Sequence, residues 1–336
     1  MKDRRALSEE FLRKAGWGAA QRGFLAGDAS DRSYDRLTLG GQTAVLMDAP
    51  PGKGDDPASF LAIAAHLTGL GLSAPRCLAQ DLTAGFLLLE DLGDAIYARV
   101  LKADLSAEIS LYAAATEVLV QLQEAPAPAD LPDLSAQDWA EAAGFALDWY
   151  RFAITGERVN KAGFTSCLTE LLQRHADGPR VLILRDFHAE NLLWLPERSG
   201  LARVGLLDFQ LGQMGQPGYD LVSLLQDARR DVSLTTEQAM QRHFIELTGQ
   251  SEASFRPAYA VLGAQRALRI LGVFARLCLQ GGKAGYLPLI PRVWAQLQRN
   301  LAAPELEPLA QICAKLVPEP SPERLEYIGS QCGNFR

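Results

Sequence analysis

The segment VLILRDFHAENLLWL, residues 181–195, places a polar loop between two apolar runs. The runs at 181–184 and 192–195 have the length and composition of short buried strands. Five of the seven loop positions carry ionisable or amide side chains: Arg185, Asp186, His188, Glu190 and Asn191. A purely structural hairpin turn usually relies on Gly, and this loop has none. The segment therefore predicts a functional loop held at the ends of buried strands.

A second acidic position follows a nearby apolar run. Asp208 lies in VGLLDFQLG, 17 residues after Asn191. If this run pairs with residues 192–195 as a hairpin, then Asp186, Asn191 and Asp208 come together. Phosphoryl transfer from ATP needs one carboxylate to take the proton of the attacking hydroxyl and hard oxygen ligands to hold Mg²⁺ on the phosphates. The three residues therefore fit phosphoryl transfer, with one carboxylate as the proton acceptor and with the Asn191 amide oxygen and the second carboxylate as metal ligands.

The composition narrows the class of protein. The chain has 336 residues, 48% of them hydrophobic and 22% charged, and a formal net charge of −7. An acidic chain argues against a general nucleic-acid-binding surface. Five scattered cysteines suggest neither a disulfide framework nor a zinc site, and no apolar run has the length of a membrane span or a secretory signal. We expect a cytoplasmic protein whose partner is a small molecule, with no nucleic-acid or membrane partner; the oligomeric state is not indicated.

The order of predicted elements divides the chain in two. Residues 1–92 contain a short helix near 5–16, several strands separated by turn residues, and a helix from Pro57 with apolar residues at i, i+3, i+4 and i+7. Residues 93–336 are mostly helical, beginning with a long helical segment over 96–125. The pattern predicts an α+β protein with a β-rich N-lobe at 1–92, a hinge near 89–93 and a helical C-lobe at 93–336.

The motifs LRDFHAENLLWL and VGLLDFQLGQMGQPGYDLVSLL resemble the catalytic and metal-binding loops of the aminoglycoside/choline phosphotransferase family. The resemblance implies a two-lobed protein-kinase-like fold, with a small antiparallel β-rich N-lobe and a mostly helical C-lobe, that transfers phosphate from ATP, with Mg²⁺, to a small-molecule hydroxyl. It assigns catalysis to Asp186 and metal binding to Asn191 and Asp208. Asp220 matches an Asp that opens a helix and braces the catalytic loop.

The same resemblance places the nucleotide. LAGDASDRSYDRL occupies the position of the phosphate-covering hairpin, and LLLEDLGD that of the hinge whose backbone meets adenine. The residues predicted to contact the nucleotide are Gly27, Ser30, Arg32, Ser33, Glu90, Asp91 and Leu92.

One departure concerns the third strand, TAVLMDAP, where kinase-like folds usually carry a Lys or Arg paired with a Glu on the next helix. Met47 and Asp48 stand at about that place, and residues 57–80 contain no acid. The absence of both partners is coherent, because a lone helix Glu would repel the phosphates. Arg32 or Lys53 is then the candidate that neutralises the phosphates.

Other polar residues have a structural interpretation beside the functional one. Arg185 and His188 are interpreted as support for the catalytic loop. Six residues are candidate contacts of the acceptor substrate: Trp149, Tyr150, Asp227, Arg230, Arg266 and Arg269. The alternatives are a core aromatic pair for Trp149 and Tyr150, helix-end ion pairs around residues 227–231, and a solvated basic face for the helix arginines.

Within the family, LAGDASDRSY, VLMDAPP, FLLLEDLGD, YDLVSLLQDARRDV and QRALRILGVFARL resemble the anomeric N-acetylmuramate/N-acetylglucosamine kinases of bacterial cell-wall recycling. RALRILGVFAR has three arginines and no acid, which suits the lactyl carboxylate of N-acetylmuramate better than a polycationic aminoglycoside. An aminoglycoside or choline-like alcohol acceptor, or a nucleotide-binding pseudokinase, are the alternatives.

Overall fold

The structure is a computed structural model that describes residues 4–27, 32–54 and 56–335. The strands are β1 Gln21–Gly27, β2 Ser33–Leu39, β3 Gln42–Asp48, β4 Cys77–Asp81, β5 Phe86–Glu90, β6 Val181–Ile183, β7 Leu192–Trp194, β8 Val204–Leu206 and β9 Gln213–Gly215. The helices are α1 Arg4–Lys14, α2 Pro57–Gly69, α3 Tyr97–Ala103, α4 Glu108–Glu124, α5 Ala136–Ala143, α6 Phe152–Thr155, α7 Ala162–His175, α8 Tyr219–Leu225, α9 Leu234–Thr248, α10 Glu252–Leu279, α11 Ile290–Leu301, α12 Glu307–Leu316 and α13 Pro322–Ser330.

The chain forms two compact units, each made of two segments. The first unit comprises Met1–Asp130 and Leu184–Gly212, and the second comprises Leu131–Ile183 and Gln213–Arg336. These units describe internal packing and do not test the predicted lobe boundary after residue 92, which stays a prediction.

The first unit is built on a five-stranded antiparallel sheet in the order β1-β2-β3-β5-β4. Gly40 and Gly41 turn the chain between β2 and β3 with φ of 57° and 81°. Two successive residues with positive φ match the twist of a tight hairpin, and Gly adopts that conformation without a steric penalty. The two glycines therefore set the register in which Leu39 faces Gln42.

The two faces of β3 point to different environments because side chains alternate along a strand. Leu46, with Leu88 of β5, belongs to a core cluster that contains Phe11 of α1. Val45 and Met47 occupy the other face and are 9% and 1% exposed. Met47, at the predicted position of the missing Lys or Arg, therefore lies on the same face of the sheet as Val45.

Helix α2 begins and packs as its sequence predicts. The Asp56 side chain accepts a hydrogen bond from the backbone N–H of Ala58, and Pro57 fills the first helical position, where a missing N–H costs nothing. The predicted apolar stripe is buried in full: Phe60, Ile63, Ala64 and Leu67.

A second hairpin completes the first unit. Strands β7 and β8 pair antiparallel with Leu192 opposite Leu206, which confirms the predicted pairing. The Leu206 N–H also donates to the Ser73 carbonyl at 2.7 Å, and the Ser73 hydroxyl donates to the Ala202 carbonyl at 2.6 Å. The segment between α2 and β4 is therefore fastened to this hairpin.

The second unit is organised around α10, a helix of 28 residues. It packs against α5, α7 and α11, and against the π-helical segment Ala146–Arg151. At Gly272 the approach is so close that an added Cβ would lie 2.2 Å from the carbonyl carbon of Phe145. Strands β6 and β9 pair antiparallel in the same unit.

The segment 96–125, expected to be long and helical, is helical but is interrupted between α3 and α4. The chain leaves α3 at Asp104, where φ is −142° and ψ is 95°, passes through a short 3₁₀ turn, and starts α4 at Glu108. The Asp104 carboxylate accepts from the backbone N–H of Ser106 at 2.9 Å. A capping Asp whose side chain competes with the backbone is the physical reason for the break. The sequence pattern predicts no strand at Cys77–Asp81, but this segment forms β4 and pairs with β5.

The contact at Gly272 predicts a steep cost for one methyl group. Gly272→Ala should lower the free energy of unfolding by about 1–3 kcal/mol, the usual range for overpacking, because the facing atoms belong to backbone. Gly163→Ala in α7 is the matched control, since nothing lies within 4 Å of its added Cβ. Urea unfolding of both variants measures the difference; equal stability would contradict the close approach.

Candidate active site

Three polar residues meet where the catalytic loop approaches the end of β8. The Asn191 side-chain N–H donates to the Asp186 carbonyl at 2.9 Å and approaches the Asp208 carboxylate at 3.5 Å. The Leu207 N–H donates to the Asn191 carbonyl at 2.9 Å. The structure thus brings together Asp186, Asn191 and Asp208, all in the first unit, as the hairpin pairing predicts.

The backbone has an unusual conformation directly before Asp186 and at Asp208 itself. Arg185 has φ of 72° and Asp208 has φ of 56°. Residues other than Gly rarely occupy this left-handed region, which costs on the order of 1–2 kcal/mol. Such conformations persist where the surrounding structure holds them, and they concentrate at functional sites. The two loops are therefore fixed in shape at the residues predicted to carry chemistry.

Two further side chains surround the Asp208 carboxylate. The Gln210 amide donates to Asp208 Oδ1 at 2.8 Å, and Gln210 is 5% exposed. The Arg32 guanidinium lies 3.5 Å from the same oxygen and is almost completely buried. Sequence reasoning missed Gln210, whose signal was an amide two residues after the predicted metal ligand. Together with Asn191, these groups orient the carboxylate from several sides.

An aromatic pair stands where kinase-like folds usually have an ion pair. Phe60 of α2 stacks on Phe209 with ring centroids 4.8 Å apart and 24° between the planes. Met47 of β3 carries no charge, and α2 contains no Asp or Glu, so the usual Lys–Glu ion pair between these two elements is absent. The stack thus links α2 to the residue directly after Asp208 through apolar contact.

Asp48, the other residue at the missing-Lys position, is engaged elsewhere. Its carboxylate pairs with Arg4 of α1, and Arg4 also donates to the Ala84 carbonyl at 2.6 Å. This ion pair neutralises a carboxylate that would otherwise repel phosphate.

A cavity of about 370 Å³ lies within the first unit. This volume is within the range of small-ligand pockets. It is lined by predicted hinge residues together with the loop residues Asn191 and Asp208. Its other walls include Gly27, Val45, Phe60 and Leu89. The lining combines apolar side chains with the two predicted metal ligands, which are the two kinds of group that a nucleotide's base and its metal-bound phosphates require.

Arg36 of β2 holds the hinge. Its guanidinium lies 2.8 Å from the Asp91 carboxylate and 2.7 Å from that of Asp94. The hydrogen bond with Asp94 raises the pKa of Arg36 and lowers the pKa of Asp94. The Gly93 N–H donates to the Asp91 carboxylate at 3.0 Å. The Asp91 carboxylate is therefore already bonded within the protein, so any contact of the hinge with an adenine base would come from backbone groups.

The Glu90 side chain is also committed to protein contacts. It lies 3.0 Å from Arg76 and 2.8 Å from Arg198. Burial raises the pKa of Glu90, but the hydrogen bonds from Arg76 and the Arg198 charge outweigh burial, so the net shift is downward. Arg198 donates in addition to the Ser73 hydroxyl at 2.7 Å. Arg198 thus connects Ser73 to Glu90, at the start of the hinge.

The remaining predicted nucleotide contacts are only partly described. Gly27 and Leu92 line the cavity, and Ser33 faces Gly27 in the β1–β2 register. Ser30 lies outside the described residues. The nucleotide roles of all these residues stay predictions.

The predicted supporting residues are largely inside the protein. His188 is 4% exposed in the catalytic loop, and Arg185 is half-buried. Asp220 is 1% exposed in the first turn of α8, in the second unit. Burial fits a structural role for His188 and Asp220; their roles stay predictions.

Two candidate acceptor contacts require correction. Tyr150 is completely buried and its hydroxyl donates to the Pro318 carbonyl at 2.8 Å, so its ring packs in the core instead of facing a sugar. Arg266 is 6% exposed and donates to the Ser223 hydroxyl at 2.9 Å and the Gln226 carbonyl at 3.3 Å. The solvated-face interpretation is therefore wrong for Arg266, whose described bonds hold the end of α8.

The other acceptor candidates differ in exposure. Asp227 is 1% exposed and accepts from the Arg229 N–H at 2.7 Å, which is a local structural contact. Trp149, Arg230 and Arg269 are half-buried. They stay candidates for the acceptor site.

The donor set fits a magnesium ion held on a nucleotide. No group of three or more His, Cys, Asp or Glu that could hold a metal occurs in the described part of the chain. Mg²⁺ commonly takes one or two protein ligands and completes its shell with phosphate and water oxygens. Asn191 uses its amide N–H groups on Asp186 and Asp208, which leaves its carbonyl oxygen for a metal. Across residues 4–27, 32–54 and 56–335, no helix is long and apolar enough to span a membrane.

The sheet, the two loops and the cavity define a kinase-like phosphotransferase. Residues 23–260 match the phosphotransferase enzyme family. The chain belongs to that family, and its enzymes use ATP and typically a divalent metal.

Relatives of known activity and solved structures agree with this assignment. The chain is 37% identical to the N-acetylmuramate/N-acetylglucosamine kinase of Caulobacter vibrioides, over 94% of this chain and 97% of that one. It is 34% identical to the enzyme of the same name from Pseudomonas aeruginosa, over 92% and 93% of the two chains. A choline/ethanolamine kinase family protein from Mesorhizobium loti superposes with a TM-score of 0.62 at 15% identity, over 98% and 100%. The aminoglycoside phosphotransferase APH(4)-Ia gives 0.60 at 14%, over 90% and 100%. These likenesses confirm the expected two-lobed kinase-like fold class.

Proposed function

We propose that the protein phosphorylates the anomeric hydroxyl of N-acetylmuramate and N-acetylglucosamine, with ATP as donor and Mg²⁺ as the metal, in cell-wall recycling. The observation that carries the reaction type is the meeting of Asp186, Asn191 and Asp208 on two loops with strained backbone. The choice of acceptor is supported by relatives of that name, 30–37% identical over at least 88% of the chain. A cytoplasmic setting, where ATP is available, is part of the proposal.

Asp186 acts as the general base. Its backbone is fixed by the Asn191 amide at 2.9 Å, and the residue before it has a left-handed conformation. The carboxylate accepts the proton of the anomeric hydroxyl while that oxygen attacks the γ-phosphorus and ADP leaves. Holding the base in place before the substrate arrives reduces the reorganisation that the reaction requires.

Asn191 and Asp208 hold the metal side of the phosphates. Gln210 donates to one oxygen of Asp208 and Asn191 approaches the other, so the carboxylate is oriented before nucleotide binds. A bound Mg²⁺ supplies charge neutralisation on the phosphate oxygens. The protein's own contribution is the placement of the two ligands at the end of the cavity.

Arg32 supplies the cation that β3 lacks. It is 4% exposed and 3.5 Å from Asp208, whereas Lys53 lies exposed in the loop before α2. A guanidinium beside the metal ligand lies within reach of phosphates that share the metal. Of the two candidates, Arg32 is therefore the one that neutralises the phosphates.

The role of Asp186 predicts a selective loss in Asp186→Asn. The amide keeps the shape but cannot take a proton, so turnover should fall by roughly 10²- to 10⁴-fold. Nucleotide affinity should stay near that of the wild type. Coupled ADP-release kinetics and equilibrium nucleotide binding measure the two quantities; near-normal turnover would remove Asp186 from the mechanism.

The role of Arg32 predicts unequal effects of two cation deletions. Arg32→Ala should weaken ATP binding by roughly tenfold or more even in the presence of a metal chelator, because a charged contact to phosphate is lost. Lys53→Ala should stay within about twofold of wild type. Titration with a fluorescent nucleotide, with and without metal, measures both. A larger loss in Lys53→Ala would transfer the role to Lys53.

The acceptor assignment predicts turnover with both amino sugars and none with kanamycin-type amines. Arg269→Ala should raise the KM for N-acetylmuramate roughly tenfold or more and change that for N-acetylglucosamine little, because only N-acetylmuramate has a carboxylate. Arg242→Ala, at an exposed position on α9, is the control. Turnover with an aminoglycoside and neither sugar would overturn the acceptor; no turnover with any acceptor would favour a nucleotide-binding pseudokinase.

A further inference from the structure

A second cavity, of about 720 Å³, lies entirely within the second unit. We call it the C-terminal cavity. Its walls come from the π-helical segment with α6, from α11 and α12, and from the segment that leads into α13. None of the candidate catalytic, nucleotide or acceptor residues lines it. The proposed reaction therefore gives this cavity no role.

The charged side chains that line the C-terminal cavity are mainly positive, although the chain as a whole is acidic. Arg151, Lys315 and Arg324 line it, with Glu319 as the single acid among the lining residues. The chain as a whole has a net charge of −7. Once the Glu157 carboxylate that pairs with Arg151 is counted, a local excess of one positive charge remains, and positive charge at a concave surface concentrates anions.

The cationic wall is held in place by hydrogen bonds. Arg151 Nη1 donates to the Leu316 carbonyl at 3.1 Å, and Arg324 Nη1 donates to the Glu319 carbonyl at 2.8 Å. The Tyr150 hydroxyl donates to Pro318 from the core. The turn after α12 is thus held by three hydrogen bonds from two elements, the π-helical segment and α13.

The cations on this wall differ in their partners. The Arg151 guanidinium lies 3.4 Å from the Glu157 carboxylate, and its Nε is buried. The exposed Lys315 has no ion pair with any described residue. Lys315 therefore offers an ammonium group that no described carboxylate neutralises, and an anion at the cavity can pair with it.

The rest of the lining has side chains that can contact a ring-shaped ligand group, such as a sugar ring. The half-buried indole of Trp294 stands in the wall with Leu301, Val317 and Pro318. Aromatic side chains offer a flat apolar face and a polar edge, and Gln298 and Thr155 add hydrogen-bonding groups. The volume is within the range of pockets for ligands of drug or metabolite size.

We propose that the C-terminal cavity is a second ligand site, for a phosphate monoester on a sugar ring. The phosphate is held by Arg151, Lys315 and Arg324, and the ring lies against Trp294. A phosphate carries close to two negative charges at pH 7, so it has opposite charge to the cations of this wall. The inference does not require the proposed reaction, although the sugar 1-phosphate product of that reaction belongs to the same ligand class.

Calorimetric titration of N-acetylglucosamine 1-phosphate into the full-length protein tests the site. Lys315→Glu removes a cation that makes no described ion pair, so the fold should be kept, and it places a repulsive charge at the phosphate. We expect this variant to bind one ligand fewer per chain than wild type, with that site weakened roughly tenfold or more. Arg242→Glu on α9 carries the same charge change at a surface outside the cavity and should match wild type.

The difference between variants, and not the absolute stoichiometry, decides the proposal. If the product also binds at the catalytic loops, wild type binds two ligands and Lys315→Glu one; if the proposed reaction is wrong, the numbers become one and none. Trp294→Ala should weaken the same site, and unphosphorylated N-acetylglucosamine should not occupy it. Equal stoichiometry and affinity in wild type and Lys315→Glu, or loss of the site in Arg242→Glu, would overturn the proposal.

Discussion

The hydrogen bonds of one amide join the two loops on which the candidate site depends. The Asn191 side chain donates to the backbone carbonyl of Asp186 and approaches the carboxylate of Asp208, while the backbone carbonyl of Asn191 accepts from the Leu207 N–H. A single side chain thus links a loop after one strand to the end of another. Left-handed backbone at Arg185 and Asp208 is tolerated because this network holds both loops.

The ion pair that usually joins the third strand to the following helix is absent here, and an apolar contact positions the helix instead. An ion pair positions a helix through directional charge, at the cost of desolvating both groups. Here Phe60 and Phe209 stack and Met47 is buried in β3, so the contact of α2 with Phe209 is apolar and insensitive to salt. The phosphate charge then has to be met from another element, and Arg32 is the buried cation beside Asp208.

Sequence patterns predicted local features well and side-chain commitments poorly. The Gly40-Gly41 turn, the apolar stripe of α2 and the pairing of β7 with β8 follow from short-range rules, since turn chemistry and periodicity act within a few residues. Tyr150 and Arg266 were weighed as substrate contacts, yet both are buried by elements far away in sequence. Gln210 was missed because an amide acquires meaning only when its partner's position is known. The break at Asp104 depended on a cap that a long helical pattern concealed.

The hydrogen bonds at Ser73 contrast with the pairing of β1. Ser73 bonds to Leu206, to Ala202 and to Arg198, so the segment after α2 is joined to the hairpin that leads to Asp208. Strand β1, by contrast, is exposed at each of its seven residues and pairs on one edge only. Gly27, at the end of β1, lines the cavity. One wall of the cavity is therefore a strand with backbone partners on a single side, whereas Asp208 follows a strand whose backbone is bonded on both sides, to β7 and to Ser73.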